Sequence, residues 1–230
     1  MFDTTSIGTA LALLERGGPV MAALLFLSVV AVAIVLVKLY QFSASGMRRT
    51  DFIEPALAMA RDGAYDKAEQ FLVHTHSPVA RVMEATVRTL ADRTMTPADR
   101  EAEITRVGSA ELRNLESFLR SLDLIANLSP LLGLLGTVMG MIKAFARLEE
   151  AGTKVDPGLL AGGIWEALLT TAVGLIIAIP ALAAFHLLQS EVDKVRSTMT
   201  DLTTRMITRH GRGNGTDQAG YGSTFAGLRR

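Results

Sequence analysis

The chain has no cysteine, which excludes disulfides and cysteine-ligated metal centres without identifying the compartment. Aromatic residues are scarce, 6% of 230 residues with a single tryptophan, so the apolar content must come from elsewhere. Charge of either sign is not in excess: 23 basic and 23 acidic residues cancel, and no global field argues for nucleic acid. No glycine-rich nucleotide loop precedes a helix and no metal-ligand cluster is visible, so neither an enzyme nor a bound metal or cofactor is expected. His74 and His76, two apart beside Pro78, read as a solvated turn.

What is abundant is aliphatic. Apolar residues make up 49% of the chain and the mean hydropathy is +0.31. The surplus is Leu, Ala, Val, Ile and Gly, the composition of helices buried in lipid. GGPVMAALLFLSVVAVAIVLV gives 21 uncharged residues from Gly17 to Val37, and about 20 are needed to cross the hydrocarbon core. A cleavable signal would have a basic start and a shorter apolar core; here the chain opens Met-Phe-Asp. LIANLSPLLGLLGTVMGMI adds 19 uncharged residues from Leu124 to Ile142. A third apolar stretch lies between Pro157 and Ser190, interrupted only by Glu166. The expected fold is all-α, a polytopic membrane protein with three transmembrane helices and long helices reaching into the cytoplasm.

Lys and Arg set the expected direction. Residues 38–123 carry twelve, the tail from 191 seven, residues 143–157 three, and the N-terminus only Arg16. The expected layout is an external N-terminus (1–16), a first span (17–37), a cytoplasmic helical segment (38–123) and a second span (124–148). A short external loop (149–158), a third span (159–187), a cytoplasmic helix (188–210) and a disordered Gly-rich tail (211–230) follow. The implied location is a membrane, crossed several times, with the C-terminus cytoplasmic.

Within the cytoplasmic segment, Asp62-Gly63 and Ser77-Pro78 punctuate short amphipathic helices. Thr96-Pro97-Ala98-Asp99 marks a helix start, with a capping hydroxyl, a proline at the first position and an acid near the free N–H groups. Ile104, Val107, Leu115, Phe118, Leu122 and Ile125 continue a helical stripe with no stop signal, predicting one long helix into the second span. After the third span, Leu188, Val192, Val195, Met199, Leu202 and Met206 form a seam of alternating four and three spacing. That seam fits packing on the chain's own cytoplasmic part or against neighbouring subunits.

Small residues line one face of each inner helix. Gly133, Thr137, Gly140 and Ala144, with Gly136 beside them, face one way; Ala167, Thr171, Gly174, Ala178 and Ala181 do likewise. This spacing lets helix backbones approach closely. Counted from the hairpin ends, Thr137 and Thr171 lie level, roughly 17 Å down at about 1.5 Å per residue. Glu166 is the outlier. A carboxylate at mid-membrane costs roughly 2.5–3.5 kcal/mol on insertion scales and marks a functional site by default. The structural alternative is a carboxylate satisfied by free N–H groups at a helix start or by Lys143.

The stretches SPLLGLLGTVMGMIKAF and GGIWEALLTTAVGLIIAIPA, in combination, resemble the ExbB/TolQ/MotA family of ion-channel motor subunits. Three spans suit ExbB and TolQ, and the opening GGPVMAALLFLSVVAVAIVL is more similar to ExbB. The resemblance covers about residues 15–210. It implies a pentamer around a dimer of an ExbD- or TolR-type partner, whose one membrane helix carries an aspartate. Ion flow, normally of protons, would then drive a TonB- or TolA-type protein working on the outer membrane. Carried over, Thr137 and Thr171 would line the pore and Glu166 would be the family's intramembrane glutamate. Thr170 is an added hydroxyl where the family often has alanine, and its role stays open. Gly133, Gly136, Gly140, Gly174 and Ala178 are the expected packing positions. The rival functions are a TolQ-like envelope role, a non-conducting membrane scaffold, and a secondary transporter; the missing internal repeat disfavours the last.

Overall fold

The computed structural model describes residues 4–44, 50–151 and 157–213. The centre of the expected external loop and the tail from residue 214 lie outside them. Among the described residues the regular structure is helical: α1 (Thr4–Ala44), α2 (Ile53–Arg61), α3 (Tyr65–Val73), α4 (Pro78–Ala91), α5 (Pro97–Glu116), α6 (Leu119–Ala151) and α7 (Pro157–Gly213). Two compact units share them, Met1–Val37 with Phe118–Leu187, and Lys38–Ser117 with Leu188–Arg230. Both α1 and α7 run from one unit into the other.

The first unit holds the apolar cores of α1, α6 and α7. Among the described residues three stretches are long and apolar enough to cross a membrane: Gly18–Ser43, Pro97–Glu150 and Leu160–Thr208. They turn Phe26, Val29, Leu131, Ile142, Ile176 and Ile179 outward, each more than half exposed. So much uncovered aliphatic surface needs hydrocarbon or another helix against it. In α1 the apolar run begins at a break. Gly18 takes φ 60°, ψ −159°, a conformation open to glycine, and the following Pro19 pushes its predecessor out of the helical region.

The second unit is built from turns the sequence announces. At the end of α2, Gly63 has φ 71°; its N–H donates to Ala60 O (3.3 Å) and that of Ala64 to Met59 O (3.0 Å). This pairing closes the helix by satisfying its last carbonyls. Thr96 caps α5, its side chain accepting from Asp99 N at 3.2 Å. Helix α4 is buried on most of its circumference, from Val79, Val82 and Met83 to Val87 and Leu90, so it is the central element of this unit. Arg81–Glu111 (2.9 Å) and Arg88–Glu103 (3.2 Å) tie α4 to α5 at the surface. The seam Leu188, Val192, Val195, Met199, Leu202 and Met206 is buried throughout. Met199 and Thr203 meet Val82 of α4 and Ile104, Gly108 and Leu112 of α5 around a void of about 10 Å³. The seam is therefore core of its own unit, and Arg196 pairs with Glu116 beside it.

The long helix expected from residue 97 into the second span is broken. Helix α5 stops at Glu116, Ser117 is extended (φ −52°, ψ 139°) and Phe118 has φ 63° before α6 starts at Leu119. The supposed stripe slips out of phase there, leaving Phe118 59% exposed while Leu119 and Leu122 are buried. A bulky side chain at positive φ is strained, so tertiary structure must hold it. Lys38 does so. It is fully buried and its Nζ donates to Gln41 Oε1 (2.8 Å), Leu115 O (2.9 Å) and Ser117 Oγ (3.1 Å). All three ammonium donors are thereby used, two of them on the Leu115 carbonyl and Ser117 hydroxyl at the α5 C-terminus, where a cation is favoured. Lys38→Met should leave the Leu115 carbonyl and Ser117 hydroxyl without this donor, destabilising the unit by about 1–3 kcal/mol. Thermal unfolding, with amide hydrogen exchange at the end of α5, reads the change; unaltered exchange there would mean that Lys38 does not hold the break.

Candidate functional site

Helices α6 and α7 pack antiparallel through their small residues. A Cβ added at Gly133 would lie 3.0 Å from Thr171 Cα, one at Gly136 2.7 Å from Thr170 Cβ, and one at Gly140 2.8 Å from Ala167 Cβ. Towards one end, Gly174 sits against the Ser129 carbonyl (2.6 Å to an added Cβ); towards the other, Gly163 faces Ala144 (2.6 Å). Ala144, Ala167, Ala178 and Ala181 are buried as well. The glycines and alanines of the two stripes thus meet each other within one chain, while Thr137 of the α6 stripe lies outside the contact.

The threonines divide by role. Thr170 is 2% exposed and fills the recess at Gly136, donating to Ala167 O (2.7 Å) and more distantly to Gly133 O (3.3 Å). Thr171, half-buried, donates to Gly133 O at 2.9 Å. Both hydroxyls reach that carbonyl because Gly133 has no side chain to hold the helices apart. Thr137 donates to its own Leu134 O at 2.7 Å and lines an open groove with Val138, Met141, Phe145 and Glu149, away from the other threonines. The register of Gly136 on Thr170 and Gly140 on Ala167 still sets it near the level of Thr170. Each donor is occupied, but each oxygen keeps acceptor capacity.

Glu166 is half-buried, one turn before Thr170 on α7. It borders a cavity of about 20 Å³ together with Gly136, Gly140, Lys143, Ala167 and Thr170, closed by Pro19 and Val20 of α1. Glu166 makes no ion pair with Lys143 or any other described residue. It lies more than two turns into α7, beyond the free N–H groups of the helix start. Neither source of a purely structural carboxylate is therefore supplied by the described residues.

Two contributors escaped the sequence reading. Ser129, fully buried, donates to Ile125 O at 2.7 Å, which tucks its side chain away and lets its own carbonyl meet Gly174. The α1 break at Gly18-Pro19 brings α1 to the Glu166 cavity, and Lys143 Nζ lies 3.7 Å from where a Gly18 Cβ would be. The Gly-Pro pair was the available signal.

A membrane-length helix pair welded by small residues, with an unpaired carboxylate beside a water-sized void, can be compared with known proteins. Residues 74–201, more than half of the chain, match the MotA/TolQ/ExbB proton channel family. The chain belongs to that family. An ExbB-like protein of Synechocystis sp., named as a biopolymer transport protein, is 31% identical over 178 residues, 76% of this chain and 82% of the relative. The biopolymer transport protein exbB1 of Vibrio cholerae is 45% identical over 83 residues, 36% of each chain. The Tol-Pal system protein TolQ of Haemophilus influenzae is 40% identical over 85 residues, 37% of each. The MotA/TolQ/ExbB family consists of membrane channel proteins rather than enzymes, and the three membrane-length stretches fit a multi-pass member.

Proposed function

We propose that this protein is the ExbB-like subunit of an inner-membrane motor in which Glu166 is a titratable station on the proton path. The observation that carries this reading is the cavity of about 20 Å³ at Glu166. A void of that size has room for one water, and Glu166, Thr170 and Lys143 are the polar side chains on its border. A hydrated carboxylate inside a helix pair is what a proton relay requires, whereas a scaffold gains nothing from it. Thr137 and Thr171, near one level, present acceptor oxygens for the protonated carboxyl of the aspartate of a single-span ExbD- or TolR-type partner. Five copies around two partner helices is the assembly this reading adopts. One charge crossing roughly 100 mV releases about 2.3 kcal/mol, enough to bias the partner between two arrangements. Work then passes to a TonB-type protein. A TolQ-like role with a TolA-type protein is the second reading, favoured by the 40% identity to a TolQ relative.

The direct test is proton flux. The complex co-purified with its single-span partner, placed in liposomes with a pH-sensitive dye inside, should acidify the lumen under an imposed gradient faster than empty liposomes. Equal rates would sink the channel reading. For orientation, reporter fusions at positions 70 and 215 should read cytoplasmic and one at 152 external, following the Lys and Arg distribution. An external reading at 70 would reverse the layout.

A further inference from the structure

The second unit contains a cleft of about 1180 Å³ that the channel reading does not use. Arg61 ends α2, Lys67 lies in the first turn of α3, Arg93 follows α4 and Arg100 lies near the start of α5. Among the described residues these four cations share the lining with one carboxylate, Asp66, and Asp92 lies close enough to act on Arg100. Elsewhere in the unit Arg81, Arg88, Arg106, Arg196 and Arg205 are ion-paired, with exposed Arg113 an exception. Arg61, Lys67 and Arg93 make no ion pair or hydrogen bond among the described residues. Arg100 spends one N–H on Asp92 O (3.0 Å), yet its Nε is buried without any acceptor. Buried donors are ordinarily satisfied, so this one points to an absent acceptor.

We propose that this cleft docks an acidic peptide segment of a partner protein, its carboxylates on Arg61, Lys67, Arg93 and the unsatisfied Nε of Arg100. The arrangement favours a peptide over a compact phosphate. The cations come from four separate places along an open cleft, matching charges spaced along a chain. Leu57, Leu90 and Met206 lie between them, giving apolar side chains of the same segment somewhere to rest. The α2–α3 turn offers no phosphate-cradling nest either, because its Gly63 and Ala64 amides are spent on α2 carbonyls.

The test uses the full chain in detergent micelles and a fluorescein-labelled peptide of alternating glutamate and leucine, followed by anisotropy. Binding should be saturable and weaken as salt rises. Arg61→Gln with Lys67→Gln, both exposed side chains, should weaken it about tenfold through loss of charge-assisted hydrogen bonds. Arg93→Gln alone should weaken it too, and serves if the double variant loses its helical circular dichroism. Arg113→Gln, an exposed α5 side chain outside the cleft, should change nothing. Equal binding by wild type and the cleft variants would overturn the proposal. Displacement by inorganic phosphate at matching charge would overturn the peptide in favour of a small anion. Displacement by phosphatidylglycerol vesicles but not by unlabelled peptide would overturn it in favour of a membrane surface.

Discussion

Glu166→Ala should leave the assembly intact and abolish energised work. The side chain is half-buried and carries no partner among the described residues, so its removal strands no opposite charge. Losing an unpaired buried charge can even favour packing. The cavity it borders simply enlarges by the missing carboxymethylene. Uptake of a large ligand across the outer membrane should fall about 100-fold or more, the scale on which a positioned proton-transfer group contributes. Co-purification with the single-span partner should persist. Full uptake with intact assembly would remove Glu166 from the pathway, while loss of assembly would return it to a structural role. Thr171→Val should act in the same direction at nearly constant volume, by stripping the hydroxyl that reaches Gly133 O.

Gly174→Ala should have the largest effect on the fold. Its new Cβ would stand 2.6 Å from the Ser129 carbonyl oxygen and 3.2 Å from Gly133 Cα. Both neighbours are backbone, so no rotamer change relieves the clash and α6 must move bodily. Overpacking of this kind costs about 1–3 kcal/mol, and here it also opens the Gly136–Thr170 fit beside Glu166. The expected observation is a lowered unfolding temperature in detergent together with loss of proton flux. Gly162→Ala supplies the comparison: nothing lies within 4 Å of its added Cβ, and helix propensity makes it neutral to about 1 kcal/mol stabilising. If the two variants melt alike, the close approach of α6 and α7 is not what holds this hairpin.

Much of the fold is legible in local chemistry. Asp62-Gly63 ends α2 because glycine takes the left-handed position that releases two amides to the helix's last carbonyls. Thr96-Pro97 starts α5 because a hydroxyl there accepts an otherwise unbonded N–H. The break at Ser117-Phe118 is not legible, since neither residue disfavours helix enough to stop one. It depends on Lys38, 77 positions away from Leu115, and nothing near residue 117 reports that donor. In the candidate site, the small stripes could be read off their spacing, but spacing does not say which helix each stripe meets. Thr170, left open by the sequence, turns out to be the knob that Gly136 receives.

By itself the sequence determined three membrane-length apolar runs, an acid inside one of them, and the stripes that let helices touch. These are properties of composition and of the 3.6-residue period, which every residue carries wherever the chain goes. Tertiary structure alone decided that α6 and α7 bury their stripes in each other, and that the seam after Leu188 is spent inside its own unit. It also decided that Glu166 borders a water-sized void and that the cations at 61, 67, 93 and 100 converge on one cleft. The reason is that pairing of surfaces is a relation between distant segments. Periodicity can show that a face must be buried, but its partner is chosen by shape, by the few ångströms that a glycine gives and a threonine fills.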